Sequence, residues 1–376
     1  MRFLHLADLH IGRTVNSYSM VEDQRYALDE IVKLVKRENI KYVVIAGDIY
    51  QNTMPSAEAV NLLDDFITRL KDLDATILMI SGNHDSVDRL SFASDILKNS
   101  KIYISKQYNG EIEKVEFEDE YGKINFYLFP YIKPRDVRKY FPEQEIISYS
   151  DAIRAVLDSI AINENERNII ISHQFILNAE TSESEEIYAG EAEAVADIYY
   201  DKFDYVALGH IHKAQYFLDG KIRYPGALLK YAASESNYDK AIYVIDIKEK
   251  GNINYEKHRI KYLRDMRRIK GYFEDVLENS RTDENRDDYI HIELLDENNI
   301  PEAHQRLKMI YPNIMTFRYI NQSVGDEILD IKEEYADLKS PLQLFEDFYK
   351  QRLGKDISEE QRNLIEESIN EIWGEK

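Results

Sequence analysis

The stretch TILMISGNHD, residues 76–85, decides how the rest of the chain is read. The apolar run Thr76–Ile80 passes directly into Gly82-Asn83-His84-Asp85. A short apolar run ended by a glycine reads as a buried strand, with the polar cluster where the strand hands over to its loop. The same pattern recurs on both sides. Phe3–Leu6 is followed by Asp8 and His10, Tyr42–Ala46 by Gly47-Asp48, Ile169–Ile171 by His173, and Tyr205–Leu208 by Gly209-His210-Ile211-His212. Amphipathic segments lie between the runs. In 21–38, Leu28, Ile31, Val32 and Val35 recur at helical spacing; 57–70 and 88–98 behave similarly, with Pro55 placed at a helix N-terminus. Residues 112–131 alternate around Tyr121-Gly122 as a hairpin, and AIYVIDI (241–247) closes this part as a final strand. Strands alternating with helices predict a layered α/β fold.

Beyond it the pattern changes. A short helix around Tyr272–Leu277, a strand Tyr289–Leu294, a helix Pro301–Tyr311 and a strand Ile314–Tyr319 predict a small β-α-β module. The expected organisation is a main domain over 1–265, the module over 266–322, an acidic linker over 323–340 and a helical tail over 341–376. The tail carries Leu342, Phe345, Phe348 and Tyr349, then Leu364, Ile365, Ile369 and Trp373, at helical spacing.

Composition narrows the function. The 376 residues contain no cysteine, which excludes disulfides, a cysteine nucleophile and thiolate metal sites. No apolar run approaches the ~18 residues needed to cross a bilayer, and MRFLHLADLH has no extended apolar signal region, so a cytoplasmic protein without membrane contact is expected. The formal net charge is -22, of which -14 falls in 271–376. A uniformly basic nucleic-acid surface is therefore excluded. A local strip is not: residues 221–270 carry +7, and 256–270 (EKHRIKYLRDMRRIK) is basic. Arg264, Arg267 and Arg268 in that strip, and Arg13 just after His10, are the candidate phosphate contacts.

Ligands of α/β sheets bind outside the carboxyl ends of the strands. Here five such exits deliver Asp, Asn or His, next to glycines that permit sharp turns and close approach. A single histidine after a strand is more often structural, and His5, His258, His291 and His304 are read so. Five of the nine histidines at strand exits is another matter. Imidazole with carboxylate suits borderline divalent ions such as Mn, Fe or Zn. Two His and two Asp can hold one ion; a shared Asp, an Asn and two His can hold another. Paired ions ~3.5–4 Å apart clamp the attacking and leaving oxygens of phosphoryl transfer.

The series Asp8-Leu9-His10, Gly47-Asp48, Gly82-Asn83-His84-Asp85, His173 and Gly209-His210-Ile211-His212 resembles the calcineurin-like metallophosphoesterase signature. Within that superfamily, MRFLHLADLHIGR, GDIYQNTMPSAEA, ALGHIHKAQ and IRYPGALLKYAASE are most similar to the SbcD nuclease family, the bacterial counterpart of Mre-eleven-type nucleases. Ala227 departs slightly, where relatives often have Ser. The resemblance implies a two-sheet α/β sandwich with a small α+β capping domain. It implies one ion on Asp8, His10, Asp48 and His212, and a second on Asp48, Asn83, His173 and His210, with manganese preferred. Water activated by the ions would be the nucleophile. His84 would act catalytically without being a ligand, with Asp85 orienting it.

The resemblance further implies 3′→5′ exonuclease activity on duplex DNA and endonuclease activity on hairpins or single strands. The partner would be the ATPase SbcC, docked on the C-terminal helices. A homodimer within a heterotetramer would form through 57–70 and 88–98, which carry Leu62, Phe66, Leu90, Phe92 and Leu97. Two rival readings remain: a phosphodiesterase or phosphatase for a smaller substrate, and a non-enzymatic scaffold with a structural metal.

Overall fold

In the computed structural model, residues 1–185 and 194–320 are described, with isolated positions between 342 and 365. The expected linker and the tail helices lie outside the described residues. The five apolar runs form strands Arg2–Leu6, Tyr42–Ala46, Thr76–Ile80, Arg167–His173 and Tyr205–Gly209. They belong to two sheets. One has the order Ile253–Arg259, Ala241–Ile247, Arg2–Leu6, Tyr42–Ala46, Thr76–Ile80, Ile102–Ile104. Its last four strands are parallel, and the first two pair antiparallel. The other runs Gln215–Phe217, Ile222–Tyr224, Tyr205–Gly209, Arg167–His173, Gly122–Leu128, Glu113–Asp119. Its middle four strands are parallel between antiparallel edges.

The sheets face each other. Phe3, Val44, Leu78 and Ile245 of the first pack with Phe126, Ile169, Ile171 and Tyr205 of the second in one buried cluster. The Phe3 ring meets Phe126 and Tyr205 edge-on at 5.7 and 5.8 Å. Helices Val21–Arg37 and Ala57–Asp72 cover the outer face of the first sheet, and Tyr149–Ser159 that of the second. Central strands covered on both faces are apolar throughout, which is why they read as continuous runs. Several strands escaped that reading, among them Ile253–Arg259 and Met266–Gly271, which carry mostly polar residues. The strand AIYVIDI is thus followed in its sheet by another.

Helix Ala57–Asp72 starts where Ser56 Oγ accepts the Ala59 N–H at 3.2 Å, so Pro55 stands one residue outside the cap. Leu62 and Phe66, expected at a dimer face, are buried in the core. Segment 88–98 is broken by Ala93 at φ 58° into short turns Val87–Leu90 and Ser94–Leu97, leaving Phe92 79% and Ile96 71% exposed.

The described residues divide into two compact units: Met1–Ile269 with Thr282–Ile292 and Leu307–Thr316, and Lys270–Arg281 with Glu293–Arg306 and 317–320. Strands Met266–Gly271, Tyr289–Leu294 and Ile314–Tyr319 form a three-stranded sheet, one strand more than the expected module. Its helices are Phe273–Asn279 and Ala303–Lys308. No helix among the described residues is long and apolar enough to cross a membrane.

At the end where the parallel strands begin, Arg167 (1% exposed) ties the sheets together. Its guanidinium reaches Asp119 Oδ2 at 3.1 Å and the carbonyls of Gly122, Ile247 and Lys248 at 2.6, 3.2 and 3.0 Å. Burial pushes the Asp119 carboxyl up, but Arg167 and the Met1 amine outweigh it and hold it at about 2. A carboxyl lowered on folding stabilises the protein above its unfolded pKa, and that contribution is lost as pH falls through about 2. Asp119→Asn is expected to cost ~3–5 kcal/mol, the usual effect of stranding a buried charge, measured by urea unfolding at neutral pH. It should also flatten the acid limb of the stability profile.

Candidate functional site

All five strand exits converge, three from the first sheet and two from the second. The exit loops lie side by side: Asp8 N–H donates to Gly47 O at 3.1 Å and His10 N–H to Asp48 O at 3.0 Å. This packing requires unusual backbone. Asp8, His10, Asp48 and His210 have φ of 51°, 46°, 48° and 104°, a region that non-glycine residues rarely enter. Such strain concentrates where the surrounding structure over-determines it, commonly at functional sites. Two glycines supply room. A Cβ on Gly82 would lie 2.1 Å from Asp48 Oδ1, and one on Gly209 1.9 Å from the Ala46 carbonyl.

The side chains then fall into overlapping groups: Asp8, His10 and His212; His10, Asp48 and His84; Asp48, His173 and His210. Asp48 and His10 are each common to two of them. Asp48 Oδ2 lies 3.6 Å from His10 Nε2 and 3.4 Å from His173 Nε2. Asn83 Oδ1 sits 3.0 Å from both His173 Nε2 and His210 Nδ1. His10 and His212 face each other through Nε2 at 2.9 Å. His84 Nε2 is 3.9 Å from Asp48 Oδ2, so distance alone does not separate it from the ligands.

These donors fit divalent cations. His173 Nδ1 lies 2.8 Å from Ala46 O and must donate to it, so in the neutral ring the Nε2 lone pair faces the oxygens of Asn83 and Asp48. Such facing lone pairs are relieved by a positive charge between them, either a metal ion or a second proton on the ring. Asp8 Oδ2 is buried without any hydrogen-bond partner, although Oδ1 accepts the His210 N–H at 2.9 Å. Burial pushes the Asp8 carboxyl well up and His10 and His210 down, the latter to about 3, the neutral form in which imidazole ligates. Asp48 goes the other way. Burial raises it, but His173, His10 and His84 prevail and hold it well below the carboxylate range, and its charge lifts His173 to about 9 against burial. A positive charge is thus drawn to Asp48.

This arrangement matches the calcineurin-like phosphoesterase family model over residues 1–214. Residues 262–352 match the type 5 capsule protein repressor C-terminal domain. The chain is 32% identical to the SbcD component of nuclease SbcCD from Staphylococcus epidermidis, over 99% of both chains. The chain belongs to the SbcD family of calcineurin-like phosphoesterases. Among solved structures, a dimetal phosphatase from Danio rerio aligns over 70% of this chain and 99% of its own, at 13% identity and a TM-score of 0.43. GAP50 of Plasmodium aligns over 85% and 96%, at 12% identity and 0.39. As an SbcD-family member the chain is a phosphodiester hydrolase whose His/Asp clusters suit divalent metal.

Several expectations need correction. Asp85 does not act on the His84 ring in the way foreseen: it accepts N–H bonds from Ile49, Tyr50 and Gly82 at 3.1, 2.9 and 2.9 Å, pinning two exit loops together. The His84 ring is held instead through Nδ1 to the Gln51 carbonyl at 2.9 Å. Arg264 is committed to Glu22 and to both oxygens of Asp23, and Arg267 to Asp283 and Asp288. With Arg259 bonded to Asp239 and Lys261 3.6 Å from Glu30, four of the seven Lys and Arg side chains of the strip face local acids. Arg268 is exposed. Arg13 differs from the strip: it bonds Ser184 O at 2.8 Å, stacks 4.8 Å over Tyr231 and leaves Nη1 buried without a partner.

Sequence reading missed Ser184, Glu235 and Lys240, which stand behind His212. Glu235 ends the family-like stretch IRYPGALLKYAASE, the one local signal for any of them. Of the four structural histidines, buried His5 bonds the Tyr205 hydroxyl at 2.9 Å and His291 the Thr316 hydroxyl at 2.8 Å. Gly82→Ala is expected to displace Asp48 and weaken divalent-metal binding by ~10–100-fold, as disturbance of a metal site's support typically does, measured by isothermal titration.

Proposed function

We propose that this protein is a metal-dependent DNA nuclease that acts with the ATPase SbcC in the cytoplasm, cutting duplex ends from 3′ to 5′ and opening hairpins or single strands. The observation that carries the reading is the Asp48 cluster: Asn83 Oδ1 lies 3.0 Å from two imidazoles while Asp48 Oδ2 faces His10, His84 and His173. Full-length likeness to a nuclease component supports DNA as the substrate.

One ion is assigned to Asp8, His10, Asp48 and His212, the other to Asp48, Asn83, His173 and His210, with Mn2+ preferred by the mixed imidazole–carboxylate donors. Bound there, the ions supply Lewis acidity, neutralising charge on the phosphodiester and acidifying water. The remaining chemistry is the chain's own. With Nδ1 held by the Gln51 carbonyl, His84 presents Nε2 toward the reacting centre. When protonated, Nε2–H can stabilise the transition state and pass its proton to the departing 3′-oxygen. Asp85 keeps the loops of Asp48 and His84 in register. Arg13, with one nitrogen unpartnered, is the phosphate contact supported best. Arg268 remains a weaker candidate.

On linear duplex and hairpin DNA with Mn2+, the wild type should cleave. His84→Ala should retain both ions by elemental analysis yet turn over ~10²–10⁴-fold more slowly, the usual contribution of a proton-transfer group. Activity confined to p-nitrophenyl phosphate esters, with and without SbcC, would establish the small-substrate reading instead.

A two-fold dimer is supported by apolar exposure at Met54 (73%), Phe92 and Ile96. These residues neighbour a cavity of about 310 Å³ lined by Val60, Leu63, Ile67, Leu90 and Leu97. Docking of SbcC is assigned to 341–376, within and beyond the matched C-terminal family segment. Deleting 341–376 should leave cleavage of simple substrates intact and abolish co-elution with SbcC on gel filtration.

A further inference from the structure

Behind His212 runs a closed chain of buried polar groups. Ser184 Oγ is in hydrogen-bond contact with both His212 Nδ1 and Glu235 Oε1. Glu235 is 0% exposed. Its Oε2 receives the Lys240 ammonium at 2.7 Å and the Tyr231 N–H at 3.1 Å, while Oε1 also lies 2.8 Å from the Ser182 hydroxyl, whose other neighbours are Glu185 Oε2 at 2.6 Å and Ser184 Oγ at 2.9 Å. Lys240 donates in turn to the His212 carbonyl at 2.7 Å, and the His212 N–H goes to Glu185 Oε1 at 2.8 Å.

The direction of these bonds is forced. A carboxylate surrounded by an ammonium, an N–H and hydroxyls is an acceptor only. Ser184 has one proton and must give it to Glu235, so its oxygen accepts from His212 Nδ1. That places the ring proton on Nδ1 and the lone pair on Nε2, the atom 2.9 Å from His10 Nε2 within the cluster. The other imidazoles are supported differently. His173 donates Nδ1–H to a neutral carbonyl, and His10 Nδ1 is buried with no hydrogen-bond partner.

We propose that Ser184, Glu235 and Lys240 form a positioning relay that locks His212 in its Nδ1–H tautomer and makes Nε2 a stronger donor, thereby setting the affinity of one ion of the pair. The relay rests on the two-ion reading above and acts on the ion assigned to Asp8, His10, Asp48 and His212. Outer partners of this kind, carboxylate to hydrogen-bond bridge to imidazole, typically control metal affinity by ~10–100-fold.

The test uses the full chain. Ser184→Ala removes the bridge while leaving the Glu235–Lys240 pair intact, and Ser184→Thr restores a hydroxyl. Mn2+ titration followed by calorimetry and by the electron-spin resonance of free Mn2+ should give two sites in the wild type. Ser184→Ala should weaken one of them ~10–100-fold and leave the other unchanged, with Ser184→Thr recovering most of the loss. In parallel, the ¹⁵N spectrum of His212 should show the Nδ1–H tautomer in the wild type and a mixture in Ser184→Ala.

Unchanged affinity at both sites, or equal weakening of both, overturns the relay. An Nε2–H tautomer in the wild type also overturns it, and that measurement needs no variant to fold. A wild type that binds fewer than two Mn2+ ions, with the Nδ1–H tautomer present, defeats the two-ion reading instead.

Discussion

The bond from the His173 imidazole to the Ala46 carbonyl, 2.8 Å long, joins a strand exit of one sheet to a strand exit of the other. Most of the site depends on it. It sets which nitrogen of His173 faces Asp48 and Asn83, and it draws the two rims to within the reach of short side chains. Gly209 follows from the same closeness, because a Cβ there would lie against that carbonyl. Asp and His side chains from two sheets can share a cluster only if the rims touch. Touching rims leave the connecting backbone little freedom, and four residues of the cluster carry the resulting left-handed conformations.

Strain of this kind persists only on a frame that does not yield. The sandwich provides one at the far end, where Arg167 reaches an acid of its own sheet and carbonyls at the end of a strand of the other. The inner core between them is chiefly aromatic and aliphatic, built on Phe3, Phe126, Ile169 and Ile171, with buried His5 bonded to the Tyr205 hydroxyl. Rigidity is built into the strand starts and the core; chemistry is confined to the strand ends. The loops at the exits therefore inherit positions set by long-range packing rather than by their own sequence.

That division explains what the sequence disclosed. Strands buried on both faces have to be apolar throughout, so Tyr42–Ala46 and Thr76–Ile80 were legible to the residue. The side chains that cluster at the exits were legible because each follows such a run. What stayed hidden depended on partners distant in the chain. Nothing near Ser184 announces that it touches His212, and nothing near Asp23 shows that it holds Arg264 and the Tyr289 hydroxyl. A basic run looked like a phosphate path until the acids opposite it were located. Asp85 was placed correctly beside His84, yet it acts on backbone amides, which no side-chain motif records.

The edge strands Ile253–Arg259 and Glu113–Asp119 went against the apolar pattern because they alternate or mix charges: Glu256, Lys257 and Arg259 on one, Lys114, Glu116 and Glu118 on the other. An unpaired strand edge is a template on which a second molecule can add, and charged side chains along it make that addition costly. The polarity that conceals Ile253–Arg259 from a hydrophobicity scan thus works, as it does on Glu113–Asp119, against sideways growth of the sandwich into fibrils or clumps at high concentration.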